Sequence, residues 1–389
     1  MSGIFSRFKW NAETVLELDR PLSAYIYYRN ERLNLLTGFP ESYSIALFSK
    51  KLQELKLQDK VKHPTVFHFY YEYGLLEQGL DYLVDERKPL VVEIEYQKST
   101  KKSPRRPRLT ELPLKTLERP SWTEYKGAFQ KIQEELLAGN CYQVNLTFPF
   151  DFMTEEMLDP RDIADFFFAQ KNLGAYAHAT FLGDEMILSN SPECLFQYRN
   201  QEIFSMPIKG TIRRGGKSTS ELWKQMLNDK KEEGELLMIT DLLKNDLNRL
   251  DTPSAQVLKL RAPLLVPGLL HQYSLISLKL KNEISLLSTM KALFPGGSIT
   301  GAPKKRVMAI IGDLERYNRG IYCGSTLLCI GNKKAASINI RTAMINIEER
   351  IWRYGAGGGI TLLSKPVDEF KEMEDKVSSF LKLLKIPGY

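Results

Sequence analysis

The hydrophobic pattern changes character near residue 120. Up to about residue 97, short apolar and polar alternations broken by turn residues predict strands, and the aromatic run FHFYYEYG (67–74) reads as part of them. KSTKKSPRRPR (98–108) joins like charges to Ser and Pro and predicts an exposed basic loop or linker over 98–110. From Ser121 the pattern tightens. Ser121 and Glu124 have capping-box spacing, and Tyr125, Phe129, Ile132 and Leu136 follow at helical intervals, with Gly139 as the stop. CYQVNLTF (141–148) then alternates like a strand. Short strands, helices and glycine-rich turns continue to the end without a fixed repeat. Most strand-like runs alternate instead of staying apolar throughout, which favours antiparallel over doubly wound parallel sheets.

Two helical segments carry paired acids. Residues 229–250 place Glu232 and Glu235 on one face. The last helix, 367–384, has an apolar stripe of Val367, Phe370, Met373, Val377, Phe380 and Leu384, with Glu369, Glu372 and Lys376 on the neighbouring face. Two such pairs converging on one point would give oxygen-only ligands suited to Mg²⁺. From spacing alone, two solvated helix faces are the simpler reading.

FPGGSITGAPKKR (294–306) sets glycines and hydroxyls before a helix, where backbone amides can cradle an anion, but it lacks the ending of a phosphate-binding loop. YGAGGGIT (354–361) is a second glycine run, open to a close-approach role or an ordinary turn. Arg341 lies in a strand-like run, where a charge either pairs internally or reads a carboxylate. His271, in a mostly apolar stretch, reads on its own as a structural histidine.

The 389 residues are 43% hydrophobic and 26% charged, which supports a sizeable core. Most of the net charge of +7 is concentrated in 98–108, with no interleaved aromatics, so neither global basicity nor this run indicates a nucleic-acid surface. The four cysteines and four histidines form no zinc or disulfide pattern. The N-terminus has no apolar signal region, and the uncharged stretch 262–278, broken by prolines, is a poor membrane span. These features lead us to expect a cytoplasmic protein with no nucleic-acid or membrane partner.

Taken in order, YQVNLT (142–147), SPECLF (191–196), PIKGTIRRG (207–215), GELLMITDLLKNDLNR (234–249), HQYS (271–274), GGSITGAPK (296–304), YCGS (322–325), INIRT (338–342), AGGGI (356–360) and EMEDKV (372–377) resemble the chorismate-utilising enzymes. That family includes anthranilate, aminodeoxychorismate, isochorismate and salicylate synthases. The likeness covers about 120–385, with FYYEYG (69–74) as a weaker match before it.

The resemblance implies an α+β fold like that of anthranilate synthase: one large domain of two packed, mostly antiparallel sheets flanked by helices. Residues 1–97 would belong to the same fold, and 120–386 would be the chorismate-binding catalytic region. Lys209 in PIKGT marks the aminodeoxychorismate branch in the family, where anthranilate synthases have PIAGT. Gln143 replaces the water-activating lysine of the isochorismate and salicylate synthases.

By the same resemblance, Lys209 is the nucleophile and Glu193 the acid and base, while His271 lies near the substrate. Glu235 and Glu372 would hold Mg²⁺, supported by Glu232 and Glu369. Gly210, Thr211, Ser298, Tyr322, Arg341, Gly357, Gly358, Gly359 and Lys376 would contact substrate. The implied reaction joins chorismate and ammonia, and no glutaminase triad is present. Ammonia would come from solution or from a separate glutamine amidotransferase subunit. Anthranilate synthase and a degenerate chorismate-binding regulator are the alternatives. Lys244, where the family usually has Arg, and Cys194, where a larger residue is common, depart from the pattern. No Leu-Leu-Glu-Ser segment is present, so no feedback site is expected.

Overall fold

A computed structural model describes residues 3–216, 218–250, 254–266 and 269–386. Every strand pairing in it is antiparallel. One run of neighbours passes from Gln143–Thr154 through Ile351–Ile360, Thr342–Asn346, Glu185–Ser189 and His178–Phe181 to Phe5–Lys9. The other passes from Val91–Lys102 through Thr65–Phe69, Ser325–Ile330, Lys333–Ile338, Cys194–Arg199 and Glu202–Met206 to Leu269–Lys279. The strand Val15–Tyr27 joins the two runs, and a bulge at Pro21, whose ring removes a ladder donor, lets it bend between them.

The two halves face each other. His68 of one and His178 of the other have ring centroids 5.9 Å apart, and Ser6 Oγ lies 2.7 Å from Tyr96 Oη. Ile4, Leu16, Leu18, Val66, Ile94 and Ile187 pack around this seam. The expected two packed antiparallel layers with helices outside are therefore present.

The helix Trp122–Leu137 begins at Ser121 with both halves of the capping box formed, and its buried residues are the four anticipated: Tyr125, Phe129, Ile132 and Leu136. The helix Lys230–Leu247 is capped by the Asp229 side chain. In the last helix, Pro366–Leu383, the stripe differs from expectation. Val367 is exposed and Glu369 is buried, because the helix lies over the strand Ile351–Ile360 with Phe380 stacked on Tyr354 at 4.3 Å.

Other expectations need correction. The first hundred residues include the helices Ile45–Glu54 and Tyr71–Glu77, and the aromatic run splits into the strand Thr65–Phe69 followed by the second of these. A continuous apolar run has no period that separates strand from helix. The basic segment begins as strand, since residues 98–102 complete Val91–Lys102 and pair with 15–19. Its side chains are mostly exposed, as anticipated. The glycine run 354–361, open in sequence between a close-approach role and a turn, is mostly strand, within Ile351–Ile360. Among the described residues, no helix is long and apolar enough to cross a membrane.

Candidate active site

A cleft of about 1140 Å³ opens where the strands Ile208–Arg213 and Ile351–Ile360 meet the helices Lys230–Leu247 and Pro366–Leu383. Every residue expected at the metal and substrate site lines it: Glu193, Lys209, Gly210, Thr211, Glu232, Glu235, His271, Ser298, Tyr322, Arg341, Gly357, Gly358, Gly359, Glu369, Glu372 and Lys376.

The glycine strand forms part of the wall, and close contacts explain its composition. A Cβ on Gly355 would fall 2.2 Å from the Tyr322 ring, and one on Gly359 would fall 2.0 Å from Gln143 Nε2. The Gly357 carbonyl accepts a hydrogen bond from Lys376 Nζ at 2.8 Å. Beyond Tyr354 this strand pairs only with Gln143–Thr154, so backbone groups on its other edge are available to the cleft.

Lys209 is carried by a strand whose register against Leu269–Lys279 slips between Lys209 and Thr211. Gly210 sits at that slip with φ +67°, and a Cβ there would come within 3.3 Å of Glu232 Oε2. The bulge aims Lys209 at the neighbouring helix, and its Nζ lies 3.5 Å from Glu235 Oε2.

Glu193 sits on a turn clamped by Ser191. The Ser191 hydroxyl donates to the Ile338 carbonyl at 2.6 Å and accepts from the Glu193 amide at 3.2 Å. Burial pushes the Glu193 carboxyl above the usual range, while the nearby Ser298 hydroxyl and the charges of Lys209 and Arg341 oppose that shift. A buried carboxyl of this kind holds its proton to higher pH than an exposed one.

His271 Nδ1 lies 3.2 Å from the Gly210 carbonyl and 2.9 Å from Thr211 Oγ1. Burial lowers the histidine's pKa and the Arg341 charge adds to this, against the Gly210 hydrogen bond.

Arg341 is not within a strand. It occupies the break between Lys333–Ile338 and Thr342–Asn346 with φ +52°, a conformation uncommon for a side-chain-bearing residue. Its guanidinium has no ion-pair partner among the described residues, and it lines the cleft. A cation held this way is available to an anionic ligand.

The four glutamates come from two facing helices, as anticipated, but three of them are paired with lysines. Lys209 reaches Glu235, Lys376 reaches Glu372 at 2.9 Å, and Lys231 crosses between the helices to Glu369 at 3.4 Å. Among the described residues, no group of three His, Cys, Asp or Glu side chains is gathered to hold a metal ion. Glu232 is pushed up by burial and by the neighbouring charges of Glu235, Asp229 and Glu372, with Lys209 opposing. For Glu372, burial raises the carboxyl, but Lys376, Lys231 and Lys209 together leave it below the usual range.

Sequence reasoning missed Lys231, Asn145 and Asp375, which also line the cleft. Lys231 was legible in principle, because it stands four residues before Glu235 on the same helix. Lys304, in the glycine-rich segment 294–306, proves structural. Its Nζ is buried 2.7 Å from Asp246 and bonds the Ala292 carbonyl, tying that motif to the helix Lys230–Leu247.

Residues 41–382 match the family described as chorismate binding enzyme. Aminodeoxychorismate synthase component 1 of Salmonella typhimurium is 35% identical over 324 residues, covering 79% of this chain and 69% of that protein. The Escherichia coli K12 protein of the same name is 37% identical over 268 residues, or 67% of this chain. This chain spans 57% of its length, less than two thirds. Among solved structures, anthranilate synthase component I from Streptococcus pneumoniae superposes with a TM-score of 0.77 at 21% identity, covering 95% of this chain and 92% of that one. That likeness is one of fold.

Proposed function

Because the chain belongs to the chorismate binding enzymes, we propose that it converts chorismate and ammonia to 4-amino-4-deoxychorismate, as an aminodeoxychorismate synthase component I. The observation that carries this reading is Lys209 in the same cleft as the buried acid Glu193 and the unpaired Arg341.

In this reading the Lys209 amine attacks C2 of the ring. The diene shifts and the bond to the C4 hydroxyl breaks. Glu193 delivers a proton to that oxygen, which leaves as water. Ammonia then attacks C4, the double bonds return, and the C2–nitrogen bond to Lys209 breaks, with the Glu193 carboxylate taking the surplus proton. Arg341, Tyr322 and the backbone of Gly357, Gly358 and Gly359 hold the enolpyruvyl carboxylate. Gly210, Thr211 and Ser298 line the ring, and His271 lies near it.

The chemistry of the donor set suits magnesium, since the acids offer only oxygen ligands and four carboxylates face three lysines, although among the described residues the lysine pairings leave no three of them gathered at one point. Glu235 and Glu372 would hold the ion, with Glu232 and Glu369 in support. When bound, it would offset charge on the ring carboxylate as the diene shifts. Lys376, tied to Gly357, keeps Glu372 and the glycine strand in register. Ammonia comes from solution or from a glutamine amidotransferase subunit.

The test is incubation with chorismate, Mg²⁺ and an ammonium salt, with product identification. The expected product is 4-amino-4-deoxychorismate without pyruvate. Anthranilate with released pyruvate would assign the chain to the other amination branch. No turnover would make it a chorismate-binding protein without chemistry. With ammonia withheld, the peptide containing Lys209 should gain the mass of the substrate adduct. Substantial 4-amino product from Lys209→Arg would rule out covalent catalysis, because a guanidinium does not act as a nucleophile at neutral pH.

A further inference from the structure

Lys231 has no part in the proposed chemistry, yet it sits at the centre of the acids. Its Nζ is 3.4 Å from Glu369 Oε1, across the cleft from its own helix. Glu369 is only 4% exposed and also accepts a hydrogen bond from Ser364 Oγ at 2.8 Å. A carboxylate this buried is costly without a cation beside it. Lys231 itself is half exposed, so its long stem can swing the ammonium into solvent.

The other two lysines are committed elsewhere. Lys376 pairs within its own helix and holds the Gly357 carbonyl, and Lys209 is the proposed nucleophile. Lys231 is the lysine that joins the two acid-bearing helices, and Glu369, Glu235 and Glu372 all act on it. Burial alone would lower its pKa, yet those three charges leave it raised.

We infer that Lys231 is an exchangeable internal cation, which neutralises the acid cluster in the free enzyme and withdraws to solvent when a divalent metal binds. This rests on reading the four glutamates as the metal site. It follows that the free enzyme binds metal weakly, because each binding event must first displace an ammonium. An anionic substrate adds a ligand charge that lysine cannot supply to itself, so metal and substrate should bind cooperatively.

The experiment uses the full chain without substrate and Mn²⁺ as the probe, with free Mn²⁺ measured by electron paramagnetic resonance. Lys231→Met keeps the apolar stem and removes the charge. It should bind Mn²⁺ roughly tenfold more tightly than the unaltered protein. It should also unfold at lower temperature without metal and recover that loss when Mn²⁺ is added. Lys231→Gln should behave in the same way, and Lys231→Arg should stay close to the unaltered protein. A Lys231→Met protein that folds only with Mn²⁺ present would support the inference in stronger form. Mn²⁺ binding to the unaltered protein that is lost in Glu372→Gln, but unchanged in Lys231→Met and Lys231→Gln, would overturn the role of Lys231 and leave the metal site standing. No Mn²⁺ binding by any of these proteins would remove the metal reading and this inference with it.

Discussion

The seam between the two sheet layers and the cleft both bury polar groups, but by opposite means. At the seam the groups are neutral. Ser6 bonds Tyr96 and Thr180, His68 Nδ1 lies 2.8 Å from Thr326 Oγ1, and Asn339 donates to that same hydroxyl. In the cleft the groups are charged, paired lysine to glutamate at 2.9–3.5 Å and partly open to solvent. Neutral hydrogen bonds in a dry interior hold one arrangement. Ion pairs whose lysine stems reach solvent can change partners more readily. The seam is therefore a frame and the cleft a place for exchange. Substitutions at the seam should show in stability, and those of cleft residues that meet the substrate should show in chemistry.

The largest effect expected on the cleft side comes from Glu193→Gln. In the proposed chemistry Glu193 is the acid and base, so its loss should lower kcat by about 10²–10⁴-fold. Folding should be intact, since glutamine keeps the shape and the Ser191 clamp acts on the backbone. Steady-state kinetics beside a thermal melt would check both halves. A large loss of stability with little loss of rate would place Glu193 with the frame instead.

At the seam, the corresponding test is pH. Burial lowers the His178 pKa from an ordinary 6.5 to about 4, with the Tyr176 carbonyl opposing. The folded state therefore disfavours the proton that the unfolded chain accepts. Stability from this residue is complete above pH 6.5 and is lost as the pH falls towards 4, to a total of about 3 kcal/mol. Denaturant titrations of the unaltered protein and His178→Phe between pH 7.5 and 4.5 would show it as a smaller acid-side loss in the variant. Equal losses in both would mean that His178 does not titrate in this window.

Arg341 gives a smaller effect. Because it has no ion-pair partner among the described residues, Arg341→Lys should leave stability nearly unchanged. KM for chorismate should rise about 10- to 100-fold, as expected when a bidentate contact to a carboxylate becomes a point charge. A fall in kcat at constant KM would instead connect Arg341 with the reacting centre.

How much of this contrast is legible in sequence follows from its physical basis. The capped helix Trp122–Leu137 and its four buried residues were readable because caps and period are local. The cleft residues were readable as a set through ordered motifs, since no spacing rule brings residue 209 to residue 235 or 372. The burial of Glu369 was not readable, because it depends on which strand the last helix covers. Nor was the strand character of 354–361, where glycines usually signal a turn; here their neighbours leave no room for a Cβ. The left-handed break at Arg341 was hidden inside an alternating run for the same reason: tertiary contacts decided it.

Gln143 lies on the border of the two regions and gives the smallest and most discriminating test. It is 1% exposed, it packs against Gly359 behind the cleft wall, and neither Oε1 nor Nε2 has a hydrogen-bond partner among the described residues. A buried amide left unpaired costs about 1–3 kcal/mol. Methionine has nearly the same length and no polar end, so Gln143→Met should be neutral or more stable by about 1 kcal/mol if Gln143 only fills space. Rate and KM should then stay within about twofold of the unaltered protein. If the amide instead reaches a reacting group when substrate is bound, stability would rise in the same way but activity would fall. Thermal melts and ammonia-dependent kinetics on this one variant separate the two. A stable variant with full activity assigns Gln143 to the frame, and a stable variant with a raised KM for ammonia assigns it to the cleft.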